Sequence, residues 1–475
     1  MRDRRPMDPV DQLLLRQESD LRRRSTITLV VHLDRMPEYD VFVSRLVSAV
    51  RCEPQLRQRV VRPWRNLGAP EWVVQRHVDV HEHLTQGTVA APGTMRELVE
   101  FVESIPQDDL DPDRPLWHLT LLDGMADDGA ALVARMSHVL TDGLNGMHLL
   151  AGLVDVGGQP VASAPSESLV AVPGETSEAL SSARLTVERI LAAPARAQLR
   201  YWRNYGIGIK ATAAVLDHPR LGLQQATRYS RSLLRVATPK TAPPSFPERS
   251  ARRRLIEIDL PEEDLRLVGR DSGGSLNDAY LAGITGGLRR YQESMGITPC
   301  EVPFAIPVST RKRDGGGLAE ADAGNRFAGV RFTAPVSEVD PSTRIRKLSA
   351  LVRAAKNEPA LDAMTTLAPA LVQLPDRLLG LAGRAQDRLD MQASYVPGPP
   401  VHVGLAGAVV TSMLAFGPLP GPAAMSVLLT YAGVARIGFT VDAVAIPDVD
   451  GFRQAMVEGF AEVLALGHVA SADGR

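Results

Sequence analysis

From Met391 to Ala435 the chain carries no charged side chain. A stretch this apolar has to be buried, either in a bilayer or inside the protein itself. Pro397, Pro399, Pro400, Pro418, Pro420 and Pro422 interrupt it, together with many glycines. No piece offers the roughly 20 unbroken apolar residues that a membrane-spanning helix needs. The run therefore predicts buried strands and turns, in a protein that is soluble or peripheral to a membrane.

At 475 residues the chain exceeds one hydrophobic core and predicts two domains, or two halves of one pseudo-symmetric body. Its 44% hydrophobic and 23% charged residues are those of a globular protein, and a net charge of −2 gives no electrostatic case for a nucleic-acid partner. Two cysteines, Cys52 and Cys300, suit a reducing compartment and exclude a disulfide framework or a cysteine-built zinc site. The opening MRDRRPMDPVDQ has no apolar core of a signal peptide, so none is expected.

Read in order, Arg22, Arg23 and Arg24 form a solvated face ahead of a β-branched strand, Ser25 to Leu33. Tyr39 to Val50 has helical spacing, and Glu71 to Val80 reads as a strand. His81, Glu82 and His83 resemble a metal pair, but no further ligands cluster nearby, so they read as exposed polar residues. Thr94 to Ser104 is a short amphipathic helix, and Pro115 with Trp117 makes a rigid, bulky corner into the next strand. After a central motif, Asp155 to Ser182 and Thr238 to Arg254 read as linkers. Between them, Ala183 to Gln225 is helix-prone and basic, which suits an anionic membrane surface or an ordinary surface helix. The second half begins with a strand near Arg254 and a turn at Asp271 to Gly274. Its first helix is opened by Ser275, Leu276, Asn277 and Asp278, where Asn and Asp suit a cap. Strands at Val302 to Ser309 and from Gly324 follow, with helices at 342–356, 377–389 and 452–466. Strands and helices mix without regular βα alternation, which favours an α+β fold with two mixed sheets facing a shared cleft.

The central motif is Arg135 to Gly146, RMSHVLTDGLNG. A buried strand precedes it and an apolar helix face, Met147 to Val154, follows. A strand end that delivers an imidazole into a loop suits acid–base chemistry, because the backbone holds the ring while the loop opens to a cleft. His138 is that imidazole. Asp142 can fix the loop or the ring tautomer, and Gly143 permits a turn that other residues resist. The spacing alone also suits a core histidine followed by a helix N-cap.

Several motifs together carry a resemblance that none carries singly. These are Met7-Asp8-Pro9-Val10-Asp11, the block Arg114-Pro115-Leu116-Trp117, SHVLTDG, Asn277-Asp278, Pro307 to Arg311, Gly324-Asn325 and Val396-Pro397-Gly398-Pro399. In this order and at these intervals the chain resembles the bacterial wax ester synthase/diacylglycerol acyltransferase family. That family belongs to the CoA-dependent acyltransferase superfamily, with chloramphenicol acetyltransferase-like and condensation-domain proteins. Two positions depart from the family pattern. Ser137 stands where its motif has a first histidine, and Tyr395 where it usually has asparagine. Ser137 adjoins His138 in an extended stretch, so its side chain should point the other way, as a tolerated change and not a replacement nucleophile. Tyr395 is expected to narrow a substrate channel.

The resemblance implies two chloramphenicol acetyltransferase-like subdomains, each a mixed sheet with helices, with an active-site tunnel between them. The expected bounds are 1–160 for the first, 161–250 for a linker and basic crossover, and 251–475 for the second. The implied reaction moves a fatty acyl group from acyl-CoA to diacylglycerol or a long-chain alcohol, with His138 as general base. Asp142 would hold the loop, through an arginine such as Arg311, and Gly143 would leave room at the reacting carbonyl. Asn277 and Asp278, with Gly143, would be substrate-binding, and Asn277 would order the site from the other half or assist the oxyanion. Pro115, Leu116 and Trp117 would be structural. No metal or bound cofactor is implied, acyl-CoA being a co-substrate. The implied location is cytoplasmic, or peripheral on the inner face of the plasma membrane or on lipid droplets, with the oligomeric state left open. Two alternatives compete: a carrier-protein-dependent transferase of the same superfamily, and a non-catalytic lipid-binding relative.

Overall fold

Two six-stranded mixed sheets organise the computed structural model, which describes residues 4–62, 69–106, 110–140, 146, 152–155, 169–171, 242–309, 327–357, 368, 371–372, 374 and 387–472. The strands in chain order are β1 (Arg4–Pro6), β2 (Thr26–Leu33), β3 (Gln58–Val61), β4 (Glu71–Val74), β5 (His77–Asp79), β6 (Leu84–Thr88), β7 (Trp117–Asp123), β8 (Ala130–Ser137) and β9 (Leu169–Ala171). They continue as β10 (Arg253–Pro261), β11 (Val302–Ser309), β12 (Phe327–Ala334), β13 (Met391–Pro397), β14 (Gly404–Leu405), β15 (Ala408–Phe416), β16 (Ala424–Tyr431) and β17 (Val434–Asp442). The helices are α1 (Pro9–Gln17), α2 (Tyr39–Cys52), α3 (Met95–Ser104), α4 (Glu262–Asp271), α5 (Leu276–Ser294), α6 (Pro341–Lys356) and α7 (Val449–Ala472). The proposed loop residues Asp142, Gly143 and Arg311, Asn325, and the basic stretch 183–225 lie outside the described residues, as does most of 377–389.

The first sheet has the order β14-β15-β2-β8-β7-β6, antiparallel except for the parallel pair β6 and β7. β8 lies inside it and is buried along its whole length. Its alternate side chains serve two cores. Ala130, Leu132, Ala134 and Met136 pack with Phe42, Leu46 and Val50 of α2. Ala131 and Val133 pack with Leu98, Val99 and Val102 of α3. A strand that faces a core on each side has no polar face, which is why Ala130 to Ala134 read as a continuous apolar run, Arg135 and Ser137 being buried polar residues at its end.

The second sheet has the order β10-β17-β16-β13-β11-β12, with parallel pairs at β11/β13 and β13/β16. α5 and α7 cover it. They cross at glycines: a Cβ on Gly459 would lie 2.3 Å from the Gly287 amide nitrogen and 2.5 Å from the Gly283 carbonyl oxygen. Only hydrogen fits between these backbones.

The charge-free run supplies β13 to β16, so its buried strands are borne out, but it is shared between the sheets. β14 and β15, which fall within the expected second subdomain at 251–475, pair into the first sheet, Met413 opposite Val31. Sheet membership therefore crosses that sequence boundary. The sheets meet where a Cβ on Gly438 would lie 2.2 Å from the Ala415 carbonyl oxygen. Arg253 adds hydrogen bonds to the carbonyls of Arg22 and Leu419, at 2.8 and 2.9 Å. Arg23, expected in solvent, is 8% exposed and pairs with Asp387 at 2.9 Å. The stretch Glu71 to Val80 divides into β4 and β5. The first expected linker contributes β9, paired antiparallel to β5.

Candidate active site

His138 leaves the first sheet at the end of β8 and is half-buried in a turn. The backbone around it is fixed from both neighbouring strands. On the β2 side, Thr26 pairs with Ser137, and the His138 amide donates to the Ser25 carbonyl at 2.7 Å. On the β7 side, the Ser137 amide donates to the Leu116 carbonyl at 2.9 Å. The ring thus stands on a three-strand platform, as acid–base chemistry needs.

Leu116 belongs to the corner predicted from Pro115 and Trp117. All three residues are buried, and the Trp117 amide donates back to the Pro115 carbonyl at 2.8 Å. The Trp117 indole N–H donates to the Leu56 carbonyl at 2.8 Å. Its ring stacks on His83, with centroids 4.3 Å apart and planes 21° apart. His83 was expected in solvent beside His81; instead it is 3% exposed, covered by the Trp117 ring that stacks on it. Its Nδ1 lies 2.9 Å from the Trp117 carbonyl oxygen, which makes Nδ1 the protonated nitrogen of the neutral ring. Burial lowers the His83 pKa, opposed by that hydrogen bond. No group of three metal-ligating side chains occurs among the described residues.

Ser137 is 3% exposed. Its hydroxyl donates to Glu18 Oε1 at 3.1 Å and accepts from the Val139 amide at 3.2 Å. The Ser25 hydroxyl donates to the same Glu18 oxygen. Glu18, the C-cap of α1, thereby ties both sides of the His138 turn, through hydroxyls on Ser25 and Ser137. Sequence reading did not single out Glu18. Its partner is 119 positions away, and no local pattern links them. The segment after the motif is anchored at its far end. Arg45 pairs with Asp155 at 2.5 Å, and Asp155 exchanges backbone hydrogen bonds with Gly404.

In the other half, Asn277 and Asp278 lie in the first turn of α5. The Asp278 carboxylate accepts from both the amide and the hydroxyl of Ser275 at 2.8 Å, and the Ser275 hydroxyl accepts from the Asp278 amide at 3.3 Å. This is a reciprocal helix cap, so the Asp278 carboxylate is committed locally. Asn277 is half-buried beside it. Tyr395, on β13, places its hydroxyl 3.5 Å from that of Thr430, against the second core.

Residues 7–280 match the model of the wax ester synthase/diacylglycerol acyltransferase catalytic domain, and residues 323–463 match that of the WS/DGAT C-terminal domain. A Mycobacterium tuberculosis protein provisionally named a diacylglycerol O-acyltransferase is 35% identical over 97% of this chain and 92% of its own length. A second from the same organism, also named for that activity, is 26% identical over 90% of this chain and 89% of its own. Among solved structures, the wax ester synthase/diacylglycerol acyltransferase of Marinobacter aquaeolei superposes with a TM-score of 0.63 at 20% identity, covering 98% of this chain and 99% of that one. The starter condensation domain of rhizomide synthetase gives 0.58 at 13% identity, over 98% and 95%. These two share the α+β fold of paired mixed sheets. By the family models and the 35% identical relative, the chain belongs to the wax ester synthase/diacylglycerol acyltransferase family.

Proposed function

We propose that this chain transfers a fatty acyl group from acyl-CoA to the hydroxyl of diacylglycerol or a long-chain alcohol, with His138 as general base. The observation that carries the reading is the placement of His138, at the end of a buried strand and held by backbone bonds to Ser25 and, through Ser137, to Leu116. An alcohol is a poor nucleophile until its proton is being removed. An imidazole with an ordinary pKa of about 6.5 suits that task near neutral pH. In this reading the imidazole takes the hydroxyl proton as the oxygen attacks the thioester carbonyl. The carbon–sulfur bond then breaks, and the same proton passes to the departing thiolate. Asp142 holds the loop, Gly143 leaves room at the carbonyl, and Asn277 approaches the oxyanion from the second lobe. No step uses a metal.

The names of the relatives support diacylglycerol as acceptor, and the family name admits a long-chain alcohol. We read the first lobe as centred on 1–160 and the second on 251–475, with β14 and β15 lent to the first sheet. No helix among the described residues is long and apolar enough to cross a membrane. We read the chain as cytoplasmic or peripheral, meeting a lipid acceptor at the inner face of the plasma membrane or at a lipid droplet. The test is turnover of acyl-CoA with diacylglycerol and with long-chain alcohols by wild type and His138→Ala. Loss of roughly 10²–10⁴-fold is expected. Normal turnover by His138→Ala sinks the base assignment, and a trapped acyl-enzyme sinks direct attack. Preference for a carrier-bound donor would shift the reading to the condensation class.

A further inference from the structure

The three-stranded sheet β1-β4-β3 lies beside the Trp117 corner and carries an unusual charge pattern. Arg4, Arg57, Arg59 and Arg76 belong to it or to its ends, and none of them forms an ion pair or side-chain hydrogen bond with a described residue. Arg57 is the sharpest case. It is 9% exposed, and its Nε is sealed from solvent with no acceptor among the described residues. Arg76 has both Nε and Nη2 sealed in the same way. The two are neighbours, because the Gln75 amide donates to the Arg57 carbonyl at 2.8 Å. Arg4 and Arg59 flank Val73 from the two sides of β4, each in direct register with it, so they share one face.

A guanidinium nitrogen sealed from water with no acceptor is costly, and an anion bound there would supply one. The guanidinium fork of donors matches phosphate oxygens better than any other common anion except carboxylate. The sheet is also coupled to His138. Leu56, next to Arg57, accepts the Trp117 indole hydrogen bond, and Leu116, next to Trp117, accepts from the amide of Ser137.

We propose that the arginines of this sheet, Arg57 foremost, bind the phosphate groups at the nucleotide end of the acyl-CoA donor. This rests on the acyl-CoA reading above, but not on the identity of the base. The pantetheine arm then runs from the small sheet past the Trp117 corner toward the end of β8. The adenine and ribose need no specific contact for this: the phosphates alone supply the charge that the arginines lack.

The test compares acyl-CoA with acyl-pantetheine, which carries the same thioester and no nucleotide, in Arg57→Gln, Arg59→Gln and Arg76→Gln, singly and combined. The Michaelis constant for acyl-CoA should rise about tenfold or more in the combined variant, while that for acyl-pantetheine moves far less. Binding of 3′,5′-adenosine bisphosphate, followed by calorimetry, should weaken by a similar factor. If the combined variant fails to fold, Arg4→Gln/Arg59→Gln on the half-buried face takes its place. Equal changes for both donors, or no change for either, would overturn the proposal. So would loss of co-sedimentation with phosphatidylglycerol vesicles at an unchanged constant for acyl-CoA, which assigns the arginines to lipid phosphates. His138→Ala should bind the bisphosphate as wild type does, so failure of the base assignment leaves a separate signature.

Discussion

Ser137 and Glu18, 119 positions apart, are joined by a hydroxyl–carboxylate hydrogen bond of 3.1 Å immediately before His138. The same Glu18 oxygen takes the Ser25 hydroxyl, and Ser25 in turn accepts the His138 amide. Removing Glu18 leaves the two buried hydroxyls of Ser25 and Ser137 to find new acceptors and frees both sides of the turn. Misplacing a catalytic group by about 1 Å can cost on the order of 10²-fold. Glu18→Ala is therefore expected to lower kcat by roughly 10- to 100-fold with little change in KM. Glu18→Gln keeps an oxygen that accepts both hydroxyls and should retain most of the activity. Steady-state kinetics of the two variants decide the point: equal losses would mean that the charge matters and the tether does not.

Asp390 gives the structure a pH dependence of its own. It is 1% exposed, and burial pushes its pKa up to about 6, against amide hydrogen bonds from Ser245 and Phe246 and a charge contribution from Arg249. The folded protein therefore binds a proton here between about pH 4 and pH 6 that the unfolded chain has released. Its contribution to stability is greatest below about pH 4 and is lost as pH rises through 6. Two pH units of this kind amount to about 3 kcal/mol. Asp390→Asn should remove that slope. Denaturant midpoints from pH 4 to pH 7 would test it, and parallel curves for the two proteins would refute it.

The Trp117 corner should respond to a small edit. Trp117→Phe keeps a flat ring for His83 but deletes the indole donor, leaving the buried Leu56 carbonyl without it. An unsatisfied buried acceptor costs about 1–3 kcal/mol. A loss in that range is expected in chemical unfolding, accompanied by reduced turnover, since Leu116 is the next residue and holds Ser137. An unchanged unfolding midpoint would show that Leu56 finds another donor.

What could be read from the sequence is what depends on local pattern. The charge-free run between Met391 and Ala435 announces buried strands because it carries no charge over 45 residues, and its prolines exclude a spanning helix. The capping box at Ser275 and Asp278 is legible because its partners are three positions apart. The destination of β15 is not legible. Its second half, Ser412 to Phe416, is buried on both faces and carries no face label, so nothing local says which sheet it joins. His83 was misplaced for the same reason: its burial is decided by Trp117, 34 positions later. At the site, the motif marks His138 and the PLW block marks its neighbour. Glu18 and the arginines of the small sheet become visible only when distant strands are brought together.

The crossing of α5 and α7 sets two effects against each other. Gly459 lies within a helix, where alanine is favoured over glycine by about 0.8–1.0 kcal/mol. Yet a Cβ there would lie 2.3 Å from the Gly287 nitrogen, which is backbone and cannot rotate away. The helices would have to separate, and Met456 and Phe460, both fully buried at this contact, would lose their fit against Gly287 and Gly283. Overpacking of a tight core costs typically 1–3 kcal/mol, and a rigid backbone clash sits at the upper end. The loss exceeds the propensity gain, so Gly459→Ala should be destabilising by about 1–2 kcal/mol net. Gly451, Gly296 and Gly433 do not serve as controls: Asp448 crowds the first, and the other two have open space but positive φ. The cleaner comparison is Gly459→Ala with Phe460→Leu, which gives the helices room to adjust. If the double variant is more stable than Phe460→Leu alone, the contact is side-chain packing; if it is less stable, the backbones themselves are what touch.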